Sequence, residues 1–170
     1  MPESIKYNNH PIWIVILSNT LSLFIYALGS MIMSRLGWTV SLFYLLYILF
    51  IELRLIKVHC VDCYYYGKIC GFGKGKLSSW FFKKGNIFRF CNHELTWKDI
   101  VPDLLINLIP FVTSIVLIII SFEIKILIAS LLLIILSTMG NGFVRKNLAC
   151  KYCKQKEYGC PADKLFNKEK

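Results

Sequence analysis

Histidine is scarce in this chain, and the positions of the three that occur exclude one class of function. His10, His59 and His93 all lie outside the long apolar runs, so no haem is held between membrane helices by histidine ligands. Acidic residues are also few, ten against twenty Lys and Arg, and no two of them stand out as a general acid and base. The pattern G-x-x-x-x-G-K-[ST] is missing, which excludes the common phosphate-binding loop. No A-x-A cleavage signal follows the first apolar run, and only Lys6 precedes it, so a removable signal peptide is not expected. Within the apolar runs the interruptions are Asn19, Asn107 and Pro110. A transporter would show charged or helix-breaking residues at mid-membrane depth, so this paucity speaks against one.

What the chain has in excess is apolar surface. Its 170 residues are 56% hydrophobic, too apolar for an ordinary soluble domain of this length. The excess falls in four stretches, 12–33, 36–56, 101–122 and 124–144, each close to the ~20 residues that cross a bilayer as a helix. The expected fold class is an all-α membrane protein with four transmembrane helices. The expected organisation is an N-terminal hairpin over 1–56, an extramembrane loop over 57–100, a second hairpin over 101–144 and a tail over 145–170.

The net charge of +10 is unevenly placed. Nine Lys and Arg fall in 54–98 and eight in 145–170, whereas the turns near Arg35 and Lys125 carry one each. Basic segments stay cytoplasmic, so both termini and the central loop are expected inside, with the protein in the cell's inner membrane. The same charge attracts anionic lipid headgroups. Nucleic acid is not an expected partner.

Six of the seven cysteines form two identical triplets. Cys60, Cys63 and Cys70 read C-x2-C-x6-C, and Cys150, Cys153 and Cys160 repeat the spacing 90 positions later. Thiolates two residues apart converge on one ion because the intervening turn aims both sulfurs inward. A reducing cytoplasm disfavours disulfides, and an odd cysteine count would leave one thiol over. Metal ligation is therefore the expected use, with two zinc ions. The same shift superimposes the first hairpin on the second. Two spans separate the copies, so they share one orientation and form a parallel repeat.

A closed site needs four ligands, and Cys91, His93 and His59 are the candidates for completing each triplet. One scheme gives Cys60, Cys63, Cys70 and Cys91 to the first ion, and Cys150, Cys153 and Cys160 with His93 or a solvent-derived ligand to the second. His59 reads better as a surface residue. In its cysteines alone, the doubled C-x2-C-x6-C resembles the binuclear zinc cluster of fungal transcription factors. That resemblance implies six thiolates holding two zinc ions through shared sulfurs. Here two spans separate the triplets, and DNA binding is not carried over. An iron-sulfur cluster is the competing cofactor: Cys160-Pro161 echoes the end of the bacterial ferredoxin ligand run, although its C-x2-C-x2-C spacing is missing. Tyr64, Tyr65 and Tyr66 beside Cys63 are expected to shield the metal and to pack.

The segment between the hairpins carries three further signals. Gly71-Phe72-Gly73-Lys74-Gly75-Lys76 reads as a sharp turn before it reads as an anion site. Trp80, Phe81 and Phe82 beside Lys83 and Lys84, followed by Phe88, Arg89 and Phe90, suit a segment lying on the membrane. Lys74, Lys76, Lys83 and Lys84 are its expected lipid or anion contacts. Thr96 with Asp99 fits a capping pattern that starts the third helix, with Trp97 at the interface. Asp99, Asp103 and Asn107 then fall on one face, a polar stripe. Glu52 and Arg54, at the end of the second span, are candidate partners for it.

Three functions remain compatible with these residues. The leading expectation is a membrane protein whose cytoplasmic zinc unit staples two hairpins and presents a surface to lipid or to a protein partner. An iron-sulfur electron-transfer subunit near a quinone is the alternative, and a small transporter or metal-handling protein the third. A three-thiolate site leaves a coordination position for catalysis, but no base accompanies it, so the reading leans away from an enzyme.

Overall fold

The computed structural model describes residues 6–92 and 96–161. Regular structure among the described residues is helical, with a single isolated bridge between Tyr7 and Cys153. Four long helices dominate: α1 (Ile12–Ser34), α2 (Trp38–Leu55), and, after the short helices α3 (Lys74–Phe81) and α4 (Ile87–Asn92), α5 (Trp97–Ile120) and α6 (Ile124–Ile135). The helical path of α2 continues through a π-helical turn, Ile56–Cys60. That of α6 continues through a π-helical stretch, Leu136–Gly140, the three-residue α7 (Asn141–Phe143) and a further π-helical stretch, Val144–Ala149. A last short helix, α8, covers Gln155–Tyr158.

Four stretches, Ile12–Ser34, Trp38–Cys60, Trp97–Ile120 and Ile124–Ala149, are long and apolar enough to cross a membrane. The four expected spans are therefore present, with two differences in extent. The third helix starts at Trp97, next to the Thr96 of the capping pattern, and so precedes the apolar run itself. The second and fourth run past their apolar stretches, because the π-helical turns extend the helix through polar residues such as Lys57 and Arg145. Large apolar side chains point outward, Phe43 at 72% and Ile119 at 78% exposure. Such surface is costly in water and suited to acyl chains.

The chain divides into two compact units. One gathers Asn19–Glu52 and Trp97–Phe143 and is built from the helices alone. Its core has two clusters, Met33, Tyr44, Ile48, Ile51 and Ile106 in one, and Ile25, Ile32, Ala129 and Leu133 in the other. Several polar groups inside it are paired. Ser30 and Ser41 join α1 to α2 at 2.8 Å, and Ser114 donates to Ser130 at 2.8 Å to join α5 to α6. The Tyr26 hydroxyl donates to the Glu52 carboxylate at 2.5 Å.

Pro110 explains the position of Tyr44. A proline lacks the N–H that would bond the carbonyl four residues earlier, here that of Ile106. The Tyr44 hydroxyl supplies the missing donor at 2.9 Å. Its ring reaches α5 past Gly29 of α1, where a β-carbon would collide with the phenol. Glycine on α1, tyrosine on α2 and proline on α5 thus form one interdependent contact. At the opposite ends of the hairpins, Arg35 pairs with Glu123 at 3.0 Å. Both side chains are more than a third exposed, so the pair contributes little.

Candidate metal centre

The second unit gathers Met1–Ser18, Leu53–Thr96 and Val144–Lys170, and within its described residues it contains all seven cysteines. Each triplet is entered from a π-helical turn. Cys60 is the last residue of Ile56–Cys60, and Cys150 directly follows Val144–Ala149, its N–H donating to the Arg145 carbonyl at 2.7 Å. π-Helical turns widen the backbone and recur at functional sites.

The loops that follow are closed by short backbone bonds. In the first, Tyr66 N–H donates to the Cys63 carbonyl and Gly73 N–H to that of Cys70. In the second, Cys153 N–H donates to the Cys150 carbonyl and Lys156 N–H to that of Cys153. The glycines after Cys70 serve this packing. Gly73, at φ 72°, makes the left-handed turn into α3. At Gly71 a β-carbon would come within 2.7 Å of the Ala149 β-carbon, so the residue after Cys70 lies against the residue before Cys150.

The middle cysteines of the two triplets have matching surroundings. Burial pushes the Cys63 thiol up to about 12; the backbone N–H of Tyr65 opposes this, and the sulfurs of Cys70, Cys60 and Cys160 add to it. Burial likewise pushes Cys153 up to about 12, opposed by the backbone N–H of Gln155 and reinforced by Cys63, Cys150 and Cys160. In both, the opposing N–H lies two residues beyond the cysteine. The sulfurs also act across the triplets, Cys63 on Cys153 and Cys160 on both. A further donor, Gly75 N–H, reaches Cys70 Sγ at 3.4 Å. An N–H aimed at sulfur favours the thiolate over the thiol.

Cys91 is the most buried of the seven, at 7% exposure. Its sulfur accepts from Gln155 Nε2 at 3.6 Å and lies against Gly159, the neighbour of Cys160. The other end of the same amide, Gln155 Oε1, accepts Tyr64 N–H at 2.6 Å and the Cys63 thiol at 3.5 Å. Gln155, itself 2% exposed, therefore stands between Cys63 and Cys91. Among the described residues, no three His, Cys, Asp or Glu side chains are grouped as the shell of a metal ion. His93 lies outside the described residues. His59 makes an edge contact with Phe90, ring centres 6.1 Å apart.

The N-terminal segment ties the two triplet loops together. His10 N–H donates to the Ile69 carbonyl at 2.8 Å, and His10 Nε2 contacts the Ala149 carbonyl at 3.0 Å, so the residue bonds the neighbours of Cys70 and Cys150 at once. It is 3% exposed, and its Nδ1 has no hydrogen-bond partner. Burial lowers its pKa below the usual 6.5, against the pull of the Ala149 and Ile69 carbonyls. Tyr65, 1% exposed, packs against the His10 ring, donates its hydroxyl to the Tyr7 carbonyl at 2.6 Å and accepts Lys154 N–H at 3.0 Å. Tyr64 stacks on Tyr158, and Tyr66 donates to the Phe82 carbonyl.

Spacing alone pointed to neither His10 nor Gln155. A signal for the former does exist, since an Asn-His pair precedes a tryptophan before each hairpin: Asn9-His10 before Trp13, and Asn92-His93 before Trp97. The polar stripe of α5 is unevenly placed. Asp103 is exposed, Asp99 half-buried, and Asn107 has a buried side-chain oxygen with no hydrogen-bond partner. Lys76, Lys83 and Lys84 are exposed and Lys74 is half-buried. Comparison of the chain with family models, with curated proteins and with solved structures gave no match.

Proposed function

We propose that this multi-pass membrane protein carries a zinc-binding unit on its cytoplasmic face, and that its role is to staple two helical hairpins and present a surface to membrane lipid or a protein partner. The carrying observation is the convergence of both triplets, far apart in sequence, in one compact unit where Cys63 and Cys153 act on each other and share Cys160 as a neighbour. Sulfurs that raise one another's pKa in this way resist losing their protons together. A divalent cation reverses that balance, because it supplies the charge that each thiolate needs.

The cross-triplet interactions support six thiolates sharing two zinc ions over two separate sites. Cys91 is then a buried neighbour that Gln155 holds beside the cluster. The equivalent π-helical entries and the matching N–H to sulfur relations support a parallel repeat. Zinc binding contributes of the order of 10 kcal/mol of folding free energy, which suits a unit built from loops and very short helices. The basic segments of the chain support a cytoplasmic position for this unit and both termini, with the spans in the inner membrane.

The test is elemental analysis and visible spectroscopy of detergent-purified full chain, prepared without oxygen. The expected result is two zinc per chain and no colour. Iron with acid-labile sulfide and a brown chromophore would overturn the zinc reading in favour of electron transfer.

A further inference from the structure

Beside the cysteines, the same unit contains a cavity of about 470 Å³ between the turn that follows Cys60 and the loop that enters α4. Its lining includes two cations, Lys68 and Lys84, together with Tyr64, Tyr66, Cys63 and one carboxylate, Asp62. Lys68 is held in place, its Nζ 4.1 Å from the centre of the Tyr64 ring, which is itself stacked on Tyr158.

The carboxylate of Asp62 would oppose an anion, but it is committed to the wall. It is 4% exposed, and its Oδ1 accepts Asn86 N–H at 2.7 Å. Gly85 N–H donates to the Val61 carbonyl at 3.0 Å, and a β-carbon on Gly85 would collide with Asp62 Oδ1. Asn86 in turn caps α4 by accepting Phe88 N–H at 3.0 Å. The loop is thereby pinned, and two lysines against one carboxylate leave the cavity with a net positive charge.

The segment that carries Lys84 adds a second requirement. Trp80, Phe81 and Phe88 are 70%, 68% and 71% exposed, on either side of Lys83 and Lys84. The Phe82 backbone is fastened to the cavity wall through the Tyr66 hydroxyl at 2.7 Å. Val61 of the lining directly follows Cys60, the last residue of a membrane span. A cationic cavity whose lining begins one residue past a span end, on a segment that also exposes aromatic rings, suits an anionic head joined to an apolar tail.

We propose that this cavity binds the phosphate ester of an anionic ligand, with the headgroup of a membrane phospholipid as its source. The assignment rests on the membrane reading for that source; Cys63, a proposed zinc ligand, also lines the cavity, so variants are compared at equal metal content. Recognition is electrostatic, from Lys68 and Lys84, and the exposed rings of Trp80, Phe81 and Phe88 supply apolar surface for the acyl chains.

The test uses the full chain in a non-ionic detergent, with native mass spectrometry to count and compete bound lipid. The probes are dioctanoyl phosphatidylglycerol, dioctanoyl phosphatidylcholine of equal chain length, and glycerol phosphate. The expected result is one retained phosphatidylglycerol in preference to phosphatidylcholine. Lys68→Gln combined with Lys84→Gln should weaken binding about thirtyfold, the effect of removing two cations near an anionic headgroup. Lys125→Gln, exposed on α6 and not part of the cavity lining, should leave it unchanged. Gly85→Ala, which pushes a methyl into the wall, serves as a second variant, with metal content and melting temperature showing that each variant is folded. Displacement of the lipid by glycerol phosphate at equal concentration would keep the phosphate site and reassign its source to a soluble ester. Equal retention of the two lipids, or undiminished binding by the double variant, would overturn the proposal and leave the zinc reading standing.

Discussion

Replacing Tyr44 by Phe tests the account of how the helical unit tolerates a buried proline. The change removes one oxygen from a side chain that is 4% exposed and leaves the packed ring in place. What is lost is the donor at 2.9 Å from the Ile106 carbonyl, which Pro110 has already deprived of its helical partner. An unsatisfied buried carbonyl costs ~1–3 kcal/mol. Hydrogen bonds between membrane helices have measured nearer ~0.6 kcal/mol on average, so about 1 kcal/mol is expected here. The informative arm is Pro110→Ala, which returns an N–H to that carbonyl. In this background Tyr44→Phe should cost well under half as much, a coupling that a double-mutant cycle isolates. The assay is unfolding by graded denaturing detergent in micelles, followed by far-ultraviolet circular dichroism. Equal cost of Tyr44→Phe in both backgrounds would refute the idea that the phenol replaces the proline's missing donor.

Further predictions concern the cysteine-bearing unit. If the proposed zinc cluster is right, Cys63→Ser and Cys153→Ser should each lower the zinc content and the melting temperature; unchanged zinc in both would sink the ligand assignment. Gln155→Leu removes the amide that joins Cys63, Tyr64 and Cys91 and should destabilise the unit by ~1–3 kcal/mol, read as a lower melting temperature and faster alkylation of Cys91. A melting temperature and an alkylation rate like those of the unaltered protein would count against this role. His10 sets a pH dependence. Its folded pKa lies below the 6.5 of the free side chain because burial disfavours the charged ring. The unfolded chain therefore binds the proton first as pH falls, so stability is full above 6.5 and declines below it, through the folded pKa. His10→Gln should flatten the melting-temperature profile between pH 5 and 7 relative to the unaltered protein, at matched metal content. An unaltered slope would show that other groups set it.

By itself the sequence determined the four spans, because crossing a bilayer demands a length of apolar chain, and length is a one-dimensional property. It also displayed the doubled C-x2-C-x6-C spacing for a similar reason, since a triplet spacing is local and its repetition is visible without a structure. The start of the third helix was legible in Thr96 and Asp99, whereas the ends of the second and fourth were not. There π-helical turns continue through Lys57 and Arg145, and hydropathy is blind to a helix that goes on through polar residues. Only the tertiary structure decided that Tyr44 serves the carbonyl of Ile106, that Gly29 makes room for it, and that His10 and Gln155 are the buried residues joining the two triplet loops. Each of those facts is a choice of partner for one polar group among many candidates. That choice depends on which chain segments pass within hydrogen-bonding distance, and no spacing along the sequence encodes it.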